Sequence, residues 1–463
     1  MTTTCPGRPW SCDTFAVKAS HSSLGGTILG KNSDRPTREA QPLRYLPARR
    51  AHDRLRLAYL EIDDIAETIP HLGSSPYWCW GHEFGLNAHG VAIGNEAIFT
   101  RDLAVNQARH RNGERVEPGI LGMELLRLAL ERADSARAAV EVMTDLVERY
   151  GQWGAGTRSQ DLATAAYDNS YLIADPNDIW VLETTGRRWA AKAVDEPTWA
   201  LSNEPTLRDD WTRSAGDLAE WAQSNGWPAA GERLDFASAV TDPAVPLQVS
   251  HIRLQRSRSL LRGFLQDGPI GFTEARRVLS DHYEGSFLQG PKFNPARPDF
   301  LTLCMHQSTA GFTWGNTAAS TITVLPQGGT PVMWWAPVTP CTSLYLPVVV
   351  HQNGVPPLLA TPGTARGTGP NPEHAEEDRY AEDSMWWRFQ RLLELVAGDE
   401  HGSAYHDRQR IVRAAFDALQ TEFLDEAQTL SGQDAATAHW TALTESCVQR
   451  ACAAADQLLG KFS

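Results

Sequence analysis

The 463-residue chain lacks the features that would make several function classes easy to assign. It has no stretch approaching 18 consecutive apolar residues, which excludes a helical membrane span. It has no excess of basic residues. The net charge is −14, which argues against nucleic acid or an anionic membrane as the main partner. Its cysteines number seven, an odd count, scattered as Cys5, Cys12, Cys79, Cys304, Cys341, Cys447 and Cys452 without CxxC spacing. Neither a disulfide framework nor a structural zinc site follows from that pattern. No internal repeat or low-complexity tract stands out, and residues 1–11 carry no apolar run that would read as a secretory signal. The expectation is a reduced, cytoplasmic protein without cofactor or metal.

What is present is ordinary globular material, with 42% hydrophobic and 21% charged residues. Short β-prone runs occupy the first hundred residues, among them Phe15–Val17, Gly25–Gly30 and the turn-plus-strand pattern Gly85–Glu96. Apolar residues at helical spacing mark two helices between Pro118 and Tyr150, with Asp134-Ser135 capping the second. Strands resume at Ser170–Ala174, Ile179–Glu183 and Trp189–Val194. A polar, helix-prone stretch follows from Leu207 to Arg277, then strands at Leu301–His306, Ser320–Leu325 and Val332–Trp335. Gln352–Pro372, with five prolines and four glycines, reads as a loop or linker, and from Ala375 the composition turns helical. Sheets with helical layers outside them form an α+β arrangement.

The chemistry centres on an N-terminal nucleophile. A cysteine that becomes the first residue of a processed chain carries its own base, because its free amine titrates at about 7.7–8.0 and a thiol at about 8.5. Thr2, Cys5 and Cys12 are the candidates. Nothing after Thr2 forms a strand, Cys5 precedes Pro6, and Cys12 leads directly into a strand that would seat it firmly. Against this stands the plain reading of Cys12 as a small core residue. Lys31 and Asp34 follow the next strand in Gly30-Lys31-Asn32-Ser33-Asp34-Arg35-Pro36, a string that by itself reads as a solvated turn. Asn87, Asn95 and Asn203 are turn-prone residues that also offer amide N–H groups. Cys304 and His306, at i and i+2 of a strand, would point to one face, yet no third ligand lies nearby in the sequence. Trp78 and Trp80 suit a pocket wall or core packing equally.

Several motifs together resemble the secernin branch of the cysteine dipeptidase family. They are Ser11-Cys12-Asp13-Thr14-Phe15; Gly30 to Pro36 with Glu39 and Gln41; and Trp78-x-Trp80-Gly81-x-Glu83-x-Gly85-x-Asn87-x-His89-Gly90-Val91-x-Ile93-Gly94-Asn95-Glu96-Ala97. Ala174-Asp175, Trp180–Thr184, Leu201-Ser202-Asn203, Cys304-Met305-His306 and Thr317–Ser320 extend the likeness over residues 11 to 350. The family belongs to the N-terminal-nucleophile hydrolases, with a more distant similarity to penicillin V acylases and bile salt hydrolases. The resemblance implies a four-layer αββα sandwich at 12–350 after a propeptide, 1–11. A linker (351–372) and a helical region (373–463) would follow, the last offering core packing or a homo-oligomer contact.

By the same resemblance Cys12 is the nucleophile and Asp34 holds its freed amine. Lys31 replaces an arginine, Asn95 is an active-site amide, Asn203 serves the oxyanion, and Arg256 is favoured over Arg253 and Arg258 as a distal arginine. Trp78, Trp80, Glu83 and His306 would line the substrate site. The implied reaction is hydrolysis of dipeptides or small N-acyl amino acids through a thioester. A non-catalytic binding protein and an acyl-transfer enzyme are the alternatives.

Overall fold

A computed structural model describes residues 11–50, 53–158, 161–227, 233–291, 293–307, 315–365, 375–431 and 437–463. Thr2, Cys5, most of the expected propeptide and residues 366–372 of the expected linker lie outside them.

Two antiparallel sheets stack face to face. The first has six strands in the order Thr198–Leu201, Ser11–Val17, Gly26–Pro36, Gly315–Pro326, Val332–Pro337 and Leu346–Val348. The second has eight: Arg213–Ser214, Arg188–Ala193, Ile179–Thr185, Asp168–Ala174, Ala92–Ile98, Phe84–Asn87, His71–Ser74 and Leu43–Leu46. Helices Gly122–Arg132 and Ala136–Tyr150 cover the outer face of the second sheet, fixed by Tyr171 OH donating to Gly122 O (3.2 Å) and Trp189 Nε1 to Glu148 Oε1 (2.8 Å). Ser135 caps the second of them through Ala138 N–H.

Helices His251–Asp267, Phe272–Leu279, Met385–Ala397, Tyr405–Ser431 and Thr437–Phe462 lie on the first-sheet side. Trp386 Nε1 donates to Ala318 O (2.7 Å) and Thr444 Oγ1 to Pro347 O (2.6 Å), so the C-terminal helices share one continuous apolar core with that sheet. This is the four-layer αββα arrangement. No helix among the described residues is long and apolar enough to cross a membrane.

Two features of the first sheet position the site. The strand expected to stop at Gly30 runs on to Pro36, and residues 31–35 are all buried rather than a solvated turn. Burial is tolerable because each polar side chain finds partners. Asn32 donates to Leu279 O (2.8 Å) and Leu303 O (2.7 Å), Ser33 to Gln41 Oε1 (2.9 Å), and Arg35 to Glu39 (2.6 Å) and Glu83 (3.1 Å). The first two strands form an antiparallel pair with Ser11 opposite Asp34, Cys12 opposite Ser33 and Thr14 opposite Lys31. Side chains alternate across a strand, so Cys12, Thr14 and Lys31 face the second sheet while Ser11, Asp13 and Asp34 face the helices. Phe15, opposite Gly30, anchors the pair; a Cβ at Gly30 would fall 2.4 Å from its ring. Burying that phenylalanine contributes roughly 1.5–3 kcal/mol.

Leu301–His306 is not a strand, and its main chain instead enters the sheet edge through Met305, which exchanges bonds with Thr317. The 351–365 part of the expected loop contains a short helix, Pro357–Ala360.

Candidate active site

Cys12 sits one residue into the first strand, 7% exposed, with both its main-chain N–H and its carbonyl hydrogen-bonded to side chains. Its N–H donates to Asn203 Oδ1 (2.9 Å), and its carbonyl accepts from Arg253 Nη1 (3.0 Å) and Ser202 Oγ (3.4 Å). Its sulfur accepts the Asp34 main-chain N–H at 3.4 Å. Burial pushes the thiol well up from its usual range, and the Lys31 ammonium pulls it back.

Lys31 is fully buried. Its Nζ bonds the Asn95 carbonyl and lies 3.5 Å from Glu96 Oε1. The stem has room because position 94 is glycine, where a Cβ would meet Lys31 Cδ at 2.8 Å. Burial works to discharge the ammonium, but Cys12, Glu96, Glu83 and Asp34 overcome it, holding Lys31 above its ordinary range. Glu96, pushed up to about 8 by burial against Lys31, also accepts from Thr14 Oγ1. A cation therefore lies beneath the sulfur, between the sheets.

The Asp34 carboxyl lies on the other face. Oδ1 accepts from Thr317 Oγ1 (2.6 Å), while buried Oδ2 makes no hydrogen bond among the described residues. Burial and the neighbouring Asp13 raise it to about 7 against Arg253. The carboxyl thus faces away from the thiol, on the sheet face that also carries Ser11 and Asp13.

The arginine in this site is Arg253, which corrects the preference for Arg256. The first turn of the His251–Asp267 helix aims Arg253 at the strand. There it pairs with Asp13 and donates from Nη2 to Asn203 Oδ1 (2.7 Å) and Val249 O (2.7 Å). Arg256, one turn on, is used by Asp281 (2.9 and 2.6 Å) and Glu284 O (2.7 Å). Arg258 has Glu204 and Glu183 as its charged neighbours.

Asn203 touches Cys12, but with its acceptor. Oδ1 takes the Cys12 N–H while Nδ2 donates to Ala97 O (2.8 Å). Asn95 stands one step back: its carbonyl receives Lys31, and its amide lies 3.1 Å from Asn169 Oδ1.

Of the four expected substrate-lining residues, Trp78 and Glu83 meet at Arg35, while Trp80 and His306 lie elsewhere. Trp78 is buried with Nε1 on Glu39 Oε2 (3.0 Å), whereas Trp80 lies 3.8 Å beneath the Arg127 guanidinium. Tyr77–Gly81 is a turn rather than a strand, so the two rings do not stand on one strand face. Glu83 is the buried partner of Arg35, 3.1 Å away. His306 lies 3.1 Å from His282 and 3.2 Å from the Cys341 sulfur. A cavity of about 870 Å³ opens past the end of the second strand and is lined by Pro36, Arg38, Glu39, Tyr77, Arg158 and Arg379, among others.

Asp13, Glu96 and Thr317 were not singled out by sequence reasoning. Asp13 beside Cys12 and Glu96 beside Asn95 were visible as adjacency, whereas Thr317, in a motif of the resemblance, lies 283 residues beyond Asp34 and carried no signal of their contact.

Among known proteins, a protein named "Dipeptidase" from Bifidobacterium longum (strain NCC 2705) is 27% identical over 264 residues, 51% of this chain and 46% of that relative. The chain thus spans about half the length of that relative. Among solved structures, the conjugated bile acid hydrolase of Clostridium perfringens overlays with a TM-score of 0.40 at 13% identity, covering 70% of this chain and 89% of that one. Penicillin V acylase from Agrobacterium tumefaciens overlays with a TM-score of 0.35 at 13% identity, covering 70% and 86%. Residues 11–211, which supply Cys12, Lys31, Asp34, Asn95 and Asn203, match the model of peptidase family C69, in keeping with the resemblance carried by the sequence motifs.

Proposed function

We propose that this protein is a cysteine N-terminal-nucleophile hydrolase that cleaves the amide bond of dipeptides or small N-acyl amino acids. The observation carrying the proposal is the set of contacts on Cys12: main-chain nitrogen on Asn203, carbonyl on Arg253, and sulfur between the Asp34 N–H and the Lys31 ammonium. A core cysteine needs none of these.

Maturation comes first. The Cys12 sulfur attacks the Ser11 carbonyl carbon; an S–C bond forms, the Ser11–Cys12 C–N bond breaks, and the nitrogen takes the thiol proton. Water then hydrolyses the thioester, releasing residues 1–11 and restoring the thiol. The new amine lies where Asn203 Oδ1 already accepts its N–H, and it can reach the open Oδ2 of Asp34.

In turnover that amine takes the thiol proton, Lys31 favours the thiolate, and sulfur attacks the substrate carbonyl. An oxyanion donor is worth about 2.7–4 kcal/mol in such sites. Asn203 Nδ2, with one N–H on Ala97 O, has its second N–H for that role. The amine protonates the leaving nitrogen and water resolves the thioester.

A panel of dipeptides and N-acyl amino acids, assayed with and without an added amine acceptor, tests the reading. We expect Cys12-dependent release of free amino acid, unchanged by the acceptor. Fully processed protein that turns over none of the panel would make the chain a binding protein, and aminolysis in place of hydrolysis would make it a transferase.

A further inference from the structure

His306, singled out as a substrate contact, belongs to a different assembly. Among the described residues, His282, Cys304, His306 and Cys341 are the one group of three or more His, Cys, Asp or Glu whose ligand atoms converge, all within 4.8 Å of one another, and all four residues are buried. His282 Nε2 and His306 Nε2 are 3.1 Å apart, His306 Nε2 and Cys304 Sγ 3.7 Å, and His306 Nε2 and Cys341 Sγ 3.2 Å. A tetrahedral zinc with N at about 2.0–2.1 Å and S at about 2.3 Å requires ligand–ligand edges of roughly 3.3–3.8 Å. The observed separations already lie near those edges.

We infer that His282, Cys304, His306 and Cys341 form a structural Zn²⁺ site with two imidazole nitrogens and two thiolates as ligands.

Three further observations support this. Two Nε2 atoms facing each other at 3.1 Å either share one N–H···N bond or direct both lone pairs at one cation, and only the second arrangement also uses the two sulfurs beside them. His282 Nδ1 lies 2.9 Å from Glu284 Oε1, the carboxylate–histidine arrangement that fixes the ring so that Nε2 points at a metal. A sulfur–nitrogen set of this kind suits zinc rather than magnesium or calcium.

Binding releases two protons, one from each thiol, and the resulting Zn(S⁻)₂N₂ centre is neutral. That removes the cost of burying the divalent charge alone. Four protein ligands fill the tetrahedron, so the centre is structural and leaves no position for substrate or water.

Its ligands come from three separate segments. His282 follows the Phe272–Leu279 helix, Cys304 and His306 lie in the irregular segment before the Gly315–Pro326 strand, and Cys341 sits in the turn after Val332–Pro337. Tyr405, at the start of a C-terminal helix, reaches the Cys341 sulfur at 3.4 Å. Met305, between the two central ligands, donates its N–H to Thr317 Oγ1 (3.0 Å), which donates onward to Asp34 (2.6 Å). The centre therefore pins an otherwise irregular segment that supports Asp34, and it is distinct from the Cys12 site.

The test is metal analysis of the full-length protein, purified without a polyhistidine tag under reducing conditions. About one zinc per chain is expected. Cobalt exchanged into the site should show thiolate-to-cobalt charge transfer and the visible bands of tetrahedral coordination. Cys304→Ser and Cys341→Ser should each lose the metal and lower the thermal midpoint by at least about 5 °C. If those variants fail to fold, the wild-type zinc content and cobalt spectrum decide alone. A chain below about 0.1 equivalent of metal that takes up none from added Zn²⁺, or a Cys304–Cys341 disulfide in its place, overturns the inference.

Discussion

Cys12→Ala leaves the Ser11–Cys12 bond uncut and lowers amide hydrolysis by at least ~10⁴-fold, the scale of loss when a covalent nucleophile is removed. In the proposed mechanism both effects share one cause, because there the same sulfur cuts the chain and attacks the substrate. Instability is not an alternative explanation. The substitution removes one buried sulfur atom from a strand held by its main chain on both sides, to Ser33 and to Asn203, so stability should change by about 1 kcal/mol or less. Intact mass, thermal unfolding and single-turnover hydrolysis measured on one preparation separate these contributions. A Cys12→Ala chain that is cut normally, or that hydrolyses amides at the wild-type rate, would falsify the assignment of Cys12.

Arg253→Met has the second large effect, and it acts on stability and activity by different routes. The guanidinium is fully buried and serves Asp13, the Cys12 carbonyl, Asn203 Oδ1 and Val249 O together. Removing it strands Asp13, whose carboxyl burial already raises to about 6 even with Arg253 beside it. Breaking one side of such a buried pair costs about 3–5 kcal/mol. Asp13→Asn in the same chain removes the stranded charge and should return most of that stability. Activity should stay at least ~10²-fold down in the double variant, because Asn203 Oδ1 then keeps only the Cys12 N–H and the Cys12 carbonyl only the long bond from Ser202. Denaturant unfolding and turnover of both single variants and the pair complete a double-mutant cycle. Full activity in the double variant would reduce Arg253 to a structural counter-ion.

Much of the fold was legible because its elements obey local rules. Leu121 to Val147 show a helical period, Gly85 to Glu96 a turn followed by a strand, and Ser135 a cap; the helices, the strand Ala92–Ile98 and the cap form, with Phe84–Asn87 as a further strand before the turn. The reading went astray where tertiary partners override local character. Lys31-Asn32-Ser33-Asp34 has the composition of a surface turn, yet it is the interior of a central strand because Leu279, Leu303, Gln41, Thr317 and Glu96 satisfy it. Leu301–His306 has the composition of a strand, yet it serves as a ligand-bearing connection.

At the site, Cys12, Lys31, Asp34 and Asn203 lie together. The choice among Arg253, Arg256 and Arg258 was not legible, since one helix carries all three and only its docking angle decides which faces Cys12. His282 and Cys341 were invisible for a related reason. They stand 24 residues before and 35 residues after His306, without the short spacing by which a cysteine–histidine metal site announces itself.

The most direct test of the central claim is to trap the purified protein with an electrophilic substrate analogue and map the adduct by peptide mass spectrometry. The account predicts a single adduct on the sulfur of Cys12, in a peptide that begins at Cys12 and carries a free α-amine. An adduct on another cysteine, or on a Cys12 still joined to Ser11, would contradict it.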